Sequence, residues 1–276
     1  MELKDFENLW RSNIADLEET QKFWDMRADE FNSYSRNNEG ETRRQQILDL
    51  LTAKGILRND AEILDIGCGP GKYALEFAKK VKTVVGIDIS PRMIQYAQDN
   101  AQRQNAANTV FELSAWESLN LDECGWNKKF DLVFASVCPG ISSSESLLKL
   151  CRASKGACFI SSFVERSDEL RDELHRVIFG RDPEQRWGKN IYYAINILWL
   201  SGYYPEISYR DAEFEHAWPL EKAVELYSSQ LKRMTKSNAD MSGIEAKIAE
   251  YLGKVAENGL VYEKVKSKIA WLYWCV

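Results

Sequence analysis

A short apolar strand that runs directly into a glycine-rich turn constrains this chain more than any other feature. Residues 61–66 (Ala-Glu-Ile-Leu-Asp-Ile) are followed at once by residues 67–71 (Gly-Cys-Gly-Pro-Gly). Glycines let the backbone turn tightly and approach a bound molecule without a Cβ in the way. The turn opens into a predicted helix, and the unpaired N–H groups of a helix N-terminus favour anionic or carboxylate groups. The pattern therefore predicts a ligand-binding crevice at the end of this strand.

A carboxylate stands at the corresponding end of the next strand. Residues 83–88 (Thr-Val-Val-Gly-Ile-Asp) are again apolar, and Asp88 follows Gly67 by 21 residues. A carboxylate at that place can accept both hydroxyls of a ribose. Ser90 is a good N-cap and Pro91 suits the first turn of the helix that follows. The spacing therefore predicts a ligand with an adenosine-like sugar.

Strands and helices alternate through the middle of the chain. Further strands are predicted near 109–113, at 130–135 and at 156–163, with a helix near 144–153. This alternation indicates a parallel sheet covered on both faces, and hence an α/β, doubly wound fold.

Helical segments flank this core. Residues 1–58 show the apolar spacing of helices and are predicted to form an N-terminal cap, so that residues 59–276 form the domain with the sheet. Helical insertions are expected near 166–189 and 219–265. The charges of the first insertion favour a solvated helix with surface ion pairs, and a mobile lid is the alternative. An aromatic strand is predicted from Lys268 to the end.

Composition argues against several classes of function. The net charge is -6, whereas a dedicated nucleic-acid binder normally has a basic face. No apolar run approaches the ~20 residues that span a bilayer, and residues 1–5 lack the order of a signal peptide. Six scattered cysteines and two histidines form no metal signature. We therefore expect a cytoplasmic protein with free thiols and without metal, membrane or nucleic-acid partners.

Three motifs together resemble those of class I S-adenosylmethionine-dependent methyltransferases. They are the acidic residue two positions before Gly-x-Gly-x-Gly, the Gly-Ile-Asp-Ile-Ser segment at 86–90, and Phe-Asp-Leu-Val-Phe-Ala-Ser at 130–136. The resemblance covers about 60–165, and residues 23–31 are similar to the segment that often precedes the core in small-molecule members. It implies a Rossmann-like sheet of seven mostly parallel strands, with the last strand antiparallel, helical lid additions and S-adenosylmethionine as cofactor.

The resemblance also implies roles for individual residues. Asp65 would hold the methionine amino group through water, and Asp88 would bind the ribose hydroxyls. The other implied cofactor contacts are Gly67, Gly69 and Gly71 along the methionine and ribose, Ile89 and Met93 on the adenine, Ala115 and Trp116 at its edge, and Ser136 near the methyl group. Met93 and Trp116 are equally consistent with plain core positions. Many members have an acidic residue where Ala115 stands, so backbone, water, Ser114 or Glu117 would bind the adenine amino group here.

The acceptor side is less defined by the sequence. His175, His216 and Tyr34 are candidate catalytic residues, although a lone histidine is more often structural. The candidates for the acceptor pocket are Tyr34, Trp187, Tyr192, Tyr193 and Trp199, and an aromatic pocket suits a flat, apolar or cationic acceptor. Ser136, Cys138 and Pro139 are expected near the methyl group, with Cys138 as a small apolar residue. The segment from Phe23 to Tyr34 is expected to order over bound cofactor.

The predicted function is methyl transfer by in-line displacement to a small-molecule acceptor. One alternative is a protein that binds S-adenosylmethionine without turnover. Another is a nicotinamide-dinucleotide dehydrogenase, but Lys72 stands where its fingerprint has a third glycine. Amino-methylating nucleic-acid enzymes have Asn/Asp-Pro-Pro-aromatic after the fourth strand, whereas residues 136–140 are Ser-Val-Cys-Pro-Gly. The acceptor atom and the oligomeric state are left open.

Overall fold

Strands and helices alternate in the order that the sequence predicts. The computed structural model describes residues 1–10, 16–33, 38–183, 188–234 and 241–276. The strands are β1 (Glu62–Ile66), β2 (Thr83–Asp88), β3 (Thr109–Leu113), β4 (Phe130–Ser136), β5 (Ser154–Asp168), β6 (Glu206–Pro219) and β7 (Leu260–Cys275). The helices are α1 (Leu3–Leu9), α2 (Leu17–Ser33), α3 (Asn38–Ala53), α4 (Lys72–Ala78), α5 (Pro91–Gln104), α6 (Leu121–Cys124), α7 (Ser144–Ala153), α8 (Glu169–Phe179), α9 (Lys189–Leu200), α10 (Leu220–Met234) and α11 (Met241–Val255).

The described strands form one seven-stranded sheet in the order β3-β2-β1-β4-β5-β7-β6. Strands β1 to β5 pair in parallel, with Asp65 opposite Gly86 on β2 and opposite Phe134 on β4. The last strands are antiparallel, which confirms the predicted α/β fold. The strand order reverses between β1 and β4, and ligands of open α/β sheets bind at the carboxyl ends of strands at such a switch point.

Local sequence signals explain how helix α5 begins beside this switch point. The Ser90 hydroxyl accepts a hydrogen bond from the backbone N–H of Met93 at 3.1 Å, and Pro91 occupies the first turn. Both features agree with the prediction for this segment. Asn105 ends the helix in the left-handed conformation that asparagine tolerates. Only Ile89 and Ser90 separate the end of β2 from the first residue of the helix, so the helix N-terminus lies at the crevice.

Aromatic rings from α4 and β5 pack around Phe134 of β4. The Phe134 ring stacks on Phe159 of β5 at 5.0 Å between centroids, and meets Phe77 of α4 edge-on at 5.1 Å. Tyr73 lies 4.9 Å from the same ring. Such ring pairs add stabilisation beyond the burial of their area. The packing fixes α4, and with it the glycine-rich turn, against β1 and β4.

Two strands extend beyond their predicted limits. β7 begins at Leu260, eight residues before the predicted start at Lys268, and β5 continues from residue 163 to Asp168. The first half of β7 alternates buried and exposed side chains, with Glu263 and Ser267 among the buried ones. Polar residues on the buried face hide this period-two pattern from a search for apolar alternation.

The chain divides into two compact units. Unit 1 consists of Met1–Phe163, Gly188–Arg210 and Ile269–Val276. Unit 2 consists of Val164–Trp187 and Asp211–Lys268. Unit 2 has its own buried core, formed by Leu174, Ala223, Tyr227, Leu231, Ile248, Leu252 and Val261. The predicted division into a cap at 1–58 and a domain at 59–276 stays a prediction. In the described ranges, no helix is both long and apolar enough to cross a membrane.

Candidate functional site

The glycine-rich turn between β1 and α4 is held in a conformation that favours glycine. Gly67, Gly69 and Gly71 all have positive φ angles, of 66°, 53° and 82°. The N–H groups of Gly67 and Cys68 both donate to the Ile87 carbonyl, at 2.8 and 3.0 Å, which ties the turn to β2. A Cβ placed on Gly67 would lie 2.6 Å from the Sγ of Cys138. Both the backbone angle and the close approach therefore exclude a side chain at Gly67.

Asp88 joins the turn to the start of α5. Its Oδ2 accepts the Gly69 N–H at 2.9 Å, and its Oδ1 accepts the Ser90 N–H at 2.9 Å. Burial raises the pKa of Asp88, while these backbone hydrogen bonds oppose that shift. The side chain is 9% exposed. A carboxylate has about four acceptor positions, so the hydrogen bonds from Gly69, Ser90 and Ile89 still leave room for a ligand hydroxyl.

Asp65 at the end of β1 is a buried carboxyl group with an unused acceptor. The residue is 2% exposed, and its Oδ2 has no hydrogen-bond partner. Burial, and then the nearby charge of Asp88, raise the pKa of Asp65 to about 8. The group is therefore protonated for the most part at neutral pH. Buried polar atoms are nearly always paired, so the unpaired Asp65 oxygen is a candidate for a ligand contact, and that contact stays a prediction.

Helix α2 lies against α5 through polar contacts that the sequence did not predict. The Ser90 hydroxyl donates to Asp25 Oδ1 at 2.5 Å. The Arg92 guanidinium donates to the Asp25 carbonyl at 3.2 Å and to Asp29 at 2.8 Å. Asp25 lies in the segment that was expected to order over the cofactor, and that expectation stays a prediction. Tyr34, at the end of that segment, lies outside the described residues.

A buried lysine holds the segment after β3 in place through hydrogen bonds to its backbone carbonyls. Trp116 is 2% exposed, and its indole N–H donates to the Ser146 carbonyl at 2.9 Å. The Lys149 ammonium lies 5.0 Å from the Trp116 ring and donates to the carbonyls of Trp116, Glu117 and Leu119, at 2.7, 3.1 and 3.1 Å. Sequence reasoning missed Lys149, although a lysine within the apolar stripe of a predicted helix is a usable signal. Ala115 is half-buried beside these residues.

The remaining predicted cofactor contacts divide into accessible and buried positions. Ile89 and Ser136 are half-buried, so part of each side chain is open to a ligand. Met93 is buried, and its sulfur would lie 3.9 Å from a Cβ on Gly69, so it packs beneath the turn. All the predicted cofactor contacts belong to unit 1. Their contact with cofactor stays a prediction.

Cys138 follows β4 and packs directly against the glycine turn. Burial raises the pKa of its thiol to about 12, so the group is a neutral thiol at physiological pH. Its neighbour Gly140 faces Glu117, whose Oε2 would lie 3.3 Å from a Cβ placed on Gly140. The environment of Cys138 suits the small apolar role that we predicted for it.

The two histidines lie in unit 2, in contacts typical of structural residues. His175 is buried, its Nδ1 is 2.8 Å from the Arg181 carbonyl, and its ring lies 4.8 Å from that of Phe179. The His216 ring stacks on Trp218 at 5.2 Å. Their catalytic roles stay predictions. Of the aromatic candidates, Trp187 lies outside the described residues, and Tyr192 and Trp199 are more than half exposed.

The residues around the turn fit a ligand that combines an amino acid with a ribose. Asp65 offers an unpaired carboxyl oxygen for a cationic amino group, and Asp88 keeps acceptor positions for hydroxyls. A Cβ on Gly69 would have only the Met93 sulfur within 4 Å, at 3.9 Å, so a ligand can approach the backbone there, beside Asp88. Among the described residues, no group of three or more His, Cys, Asp and Glu is placed to hold a metal ion.

Comparison with known proteins decides the family. A family model for the methyltransferase domain matches residues 57–197, just over half of the chain. The chain belongs to this methyltransferase family. The methyltransferase uses S-adenosylmethionine, which is also bound in a structural neighbour, the magnesium protoporphyrin IX methyltransferase from Synechocystis PCC 6803. The family match argues against the alternative function as a nicotinamide-dinucleotide dehydrogenase.

Solved structures share the fold of this methyltransferase. The Synechocystis enzyme is 19% identical, with a TM-score of 0.50 over 74% of this chain and 92% of its own. A methyltransferase-like protein from Bacillus halodurans C-125 is 15% identical, with a TM-score of 0.50 over 83% and 97%. The [4+2]-cyclase SpnF is 16% identical, with a TM-score of 0.51 over 90% and 94%. At these identities the likeness shows the fold alone.

Curated relatives match shorter segments. The 23S rRNA (uracil(1939)-C(5))-methyltransferase RlmD of Aliivibrio fischeri is 36% identical over 90 residues, or 33% of this chain. The release factor glutamine methyltransferase of Geobacter sulfurreducens is 40% identical over 78 residues, or 28% of this chain. The matches span only 20% and 25% of the lengths of these two relatives.

The prediction that excludes nucleic-acid partners is wrong. Enzymes described as RNA methyltransferases are among the relatives of this chain, beside one that acts on a release factor. The exclusion came from the acidic net charge of the whole chain, and net charge does not show how charge is distributed over one face. The relatives therefore reopen macromolecular acceptors.

Proposed function

We propose that this methyltransferase binds S-adenosylmethionine along the carboxyl ends of β1 and β2 and transfers its methyl group to a small-molecule acceptor by in-line displacement. The observation that carries the proposal is the unpaired, buried Oδ2 of Asp65 beside the glycine turn. A buried acceptor without a partner costs free energy of about 1–3 kcal/mol, which a cationic ligand group would recover. The cofactor's methionine amino group is such a group.

Each end of the cofactor has a matching group on the chain. Asp65 would accept from the methionine amino group, directly or through water. Asp88 would accept from the ribose hydroxyls while it keeps its bonds to Gly69 and Ser90. Ile89 is half-buried next to Asp88 and offers an apolar surface for adenine. The Lys149 contacts keep the segment after β3 in place at the adenine edge.

The acceptor would approach from the carboxyl end of β4. Ser136 is half-buried there, and Cys138 lies against Gly67. On the adenosine side, α2 is tied to Ser90 through Asp25, and Asp88 is largely covered. This cover on the adenosine side favours a small acceptor, since a macromolecule has less room to approach a partly covered cofactor. RNA stays an acceptor class that the experiment must include.

Methyl transfer requires little from the side chains beyond holding the reactants in position. S-adenosylmethionine, when bound, supplies an activated methyl carbon. The chain's own residues hold the reacting groups in line and exclude water, which alone can account for much of the lowering of the barrier. Cys138 is a neutral thiol and cannot act as a base. An acceptor that must lose a proton would therefore release it to solvent or to a base other than Cys138, for which His175, His216 and Tyr34 stay the predicted candidates.

The test is transfer of label from methyl-labelled S-adenosylmethionine into two pools, a fractionated metabolite extract and total RNA. Asp88→Ala, which removes the hydrogen bonds to Gly69 of the turn and to Ser90 at the start of α5, is expected to abolish transfer and weaken S-adenosylhomocysteine binding. Asp60→Ala is the matched control, because Asp60 is exposed and forms only a surface ion pair with Arg58. Label in a single metabolite fraction, lost in Asp88→Ala only, supports the proposal.

Other outcomes would correct it in different ways. Label in RNA alone would move the acceptor to nucleic acid while keeping the cofactor site. Tight binding of S-adenosylhomocysteine without label in either pool would contradict both acceptor classes tested. No binding of S-adenosylhomocysteine would refute the site itself.

A further inference from the structure

The residue that follows β4 has a strained backbone. Val137 has a φ of 53°, in the left-handed region. Among the described residues, the other non-glycine positions with positive φ are Asn105, Lys128 and Asn258. Valine branches at Cβ, and such residues are rare in this region because the side chain crowds the backbone. Strain of this kind persists only where the surrounding structure imposes it, and it is common at functional sites.

Ser161 of β5 anchors the peptide group that leads into this strained residue. The Val137 N–H donates to the Ser161 carbonyl at 2.9 Å and to the Ser161 hydroxyl at 3.1 Å. The same hydroxyl lies 3.0 Å from the Ser136 hydroxyl. Ser161 is only 4% exposed, so neighbouring atoms fix its position. One buried side chain thus bonds to two consecutive residues at the end of β4.

The strained residue directs the next side chain onto the glycine turn. Cys138 follows Val137, and its Sγ lies 2.6 Å from where a Cβ on Gly67 would be. The Cys138 carbonyl accepts the Ile141 N–H at 3.2 Å, which closes the turn after β4. A different φ at Val137 would rotate Cys138 and alter its contact with Gly67. The spacing between the two loops therefore depends on Val137.

We propose that Ser161 and Val137 form a positioning pair for the cofactor site: the Ser161 hydroxyl holds Val137 in the left-handed conformation, and the resulting turn sets the position of Cys138 against Gly67. The pair touches no reacting atom. It acts through Cys138 on the loop that would carry the methionine end of the cofactor. The inference rests on the proposed function, because it requires that this loop bind S-adenosylmethionine.

The test compares Ser161→Ala in two backgrounds. Asparagine adopts the left-handed conformation with little strain, so Val137→Asn needs no hydroxyl to hold it. In the native background, Ser161→Ala is expected to weaken S-adenosylhomocysteine binding about five- to tenfold, as expected for loss of one hydrogen bond. In the Val137→Asn background, the same change is expected to cost less than about twofold, which makes the two sites non-additive.

Further variants separate positioning from general stability. Ser161→Thr keeps the hydroxyl and is expected to bind within about twofold of the native protein. Val137→Asn is expected to bind normally and to melt about 2–4 °C higher, because strain is relieved. Val137→Gly also relieves strain but frees the turn, so it is expected to bind several-fold more weakly than Val137→Asn. Binding is measured by calorimetry and melting by scanning fluorimetry.

The outcomes are distinct. An equal loss from Ser161→Ala in both backgrounds would show a merely structural serine and overturn the pair, as would native affinity in Ser161→Ala. If Ser161→Ala fails to fold, recovery of folding in the Val137→Asn/Ser161→Ala double variant supports the pair, and failure of both overturns it. Absence of S-adenosylhomocysteine binding by the native protein would instead refute the proposed function, and the pair with it.

Discussion

The raised pKa of Asp65 predicts that cofactor binding depends on pH. The group has a pKa of about 8 in the free protein, because it is buried and lies near Asp88. Only the carboxylate can form an ion pair with the methionine amino group. Binding must therefore remove a proton from Asp65 whenever the pH lies below 8. Affinity for S-adenosylhomocysteine is expected to rise as the pH increases from 6 to 8.

The size of the effect follows from the pKa. If the bound state keeps Asp65 ionised, the dissociation constant is raised by a factor of about 100 at pH 6, about 11 at pH 7 and about 2 at pH 8. The expected change between pH 6 and pH 8 is therefore about fiftyfold. At pH 7 roughly 0.9 proton leaves Asp65 on binding, since about ten in eleven molecules are protonated there.

Two calorimetric measurements check this prediction. The first is the dissociation constant of S-adenosylhomocysteine at pH 6, 7 and 8. The second is the number of protons released at pH 7, obtained from the binding enthalpy in buffers with different heats of ionisation. Asp65→Asn is the control, because it keeps the size and an acceptor oxygen but cannot titrate. Its affinity is expected to change less than about threefold over the same range.

The pH dependence of thermal stability gives an independent test of the raised pKa of Asp65. The pKa of Asp65 in the folded state lies above its unfolded value, so its stabilising contribution is complete below about pH 4 and is lost as the pH rises through 8. Asp65→Asn is therefore expected to melt higher than the native protein at pH 8 while binding more weakly. Equal pH slopes in the two proteins, or proton release near zero at pH 7, would refute the reasoning.

Three further predictions follow from contacts described above. Gly67→Ala is expected to lower the melting temperature and abolish S-adenosylhomocysteine binding in calorimetry, because φ is 66° and the new Cβ meets Cys138 Sγ; adding Cys138→Ala should restore part of the melting temperature but not the binding. Lys149→Met removes three hydrogen bonds to carbonyls and is expected to cost about 2 kcal/mol, or roughly 4–8 °C in scanning fluorimetry; an unchanged melting temperature would contradict it. Burial and then Glu263 raise the pKa of Asp168 to about 7, so its contribution to stability is lost as the pH rises from about 4 through 7; Asp168→Asn is expected to melt like the native protein at pH 4 and higher at pH 8, and a constant difference would contradict it.

Local patterns predicted the centre of the fold well. The glycine turn, Asp88 and the capping serine of α5 each follow from a few consecutive residues, because the chemistry of turns and helix ends is local. The parallel sheet follows from the alternation of apolar strands and helices. The structure confirms the α/β fold, while the ligand contacts of Asp88 and the glycines stay predictions.

The supports of the candidate site could not be predicted in the same way. Asp25 meets Ser90 across 65 positions in the chain, and Ser161 meets Val137 across 24. Such contacts depend on which elements become neighbours, and one sequence does not contain that information. The conformation of Val137 was hidden for a related reason, since its residue type argues against a positive φ. The buried Glu263 misled the placement of β7, because its polar character concealed a buried face.

The bond between Asp25 and Ser90 has a consequence for how this protein can evolve. The family model matches residues 57–197, so Asp25 lies outside the matched residues. Yet Ser90, its partner, lies within the shared core. Substitution at either position should select for compensation at the other across the boundary of the match. A chimaera that joins this core to another protein's N-terminal segment would keep Ser90 but lose its partner Asp25. Recombination at that boundary should therefore be disfavoured.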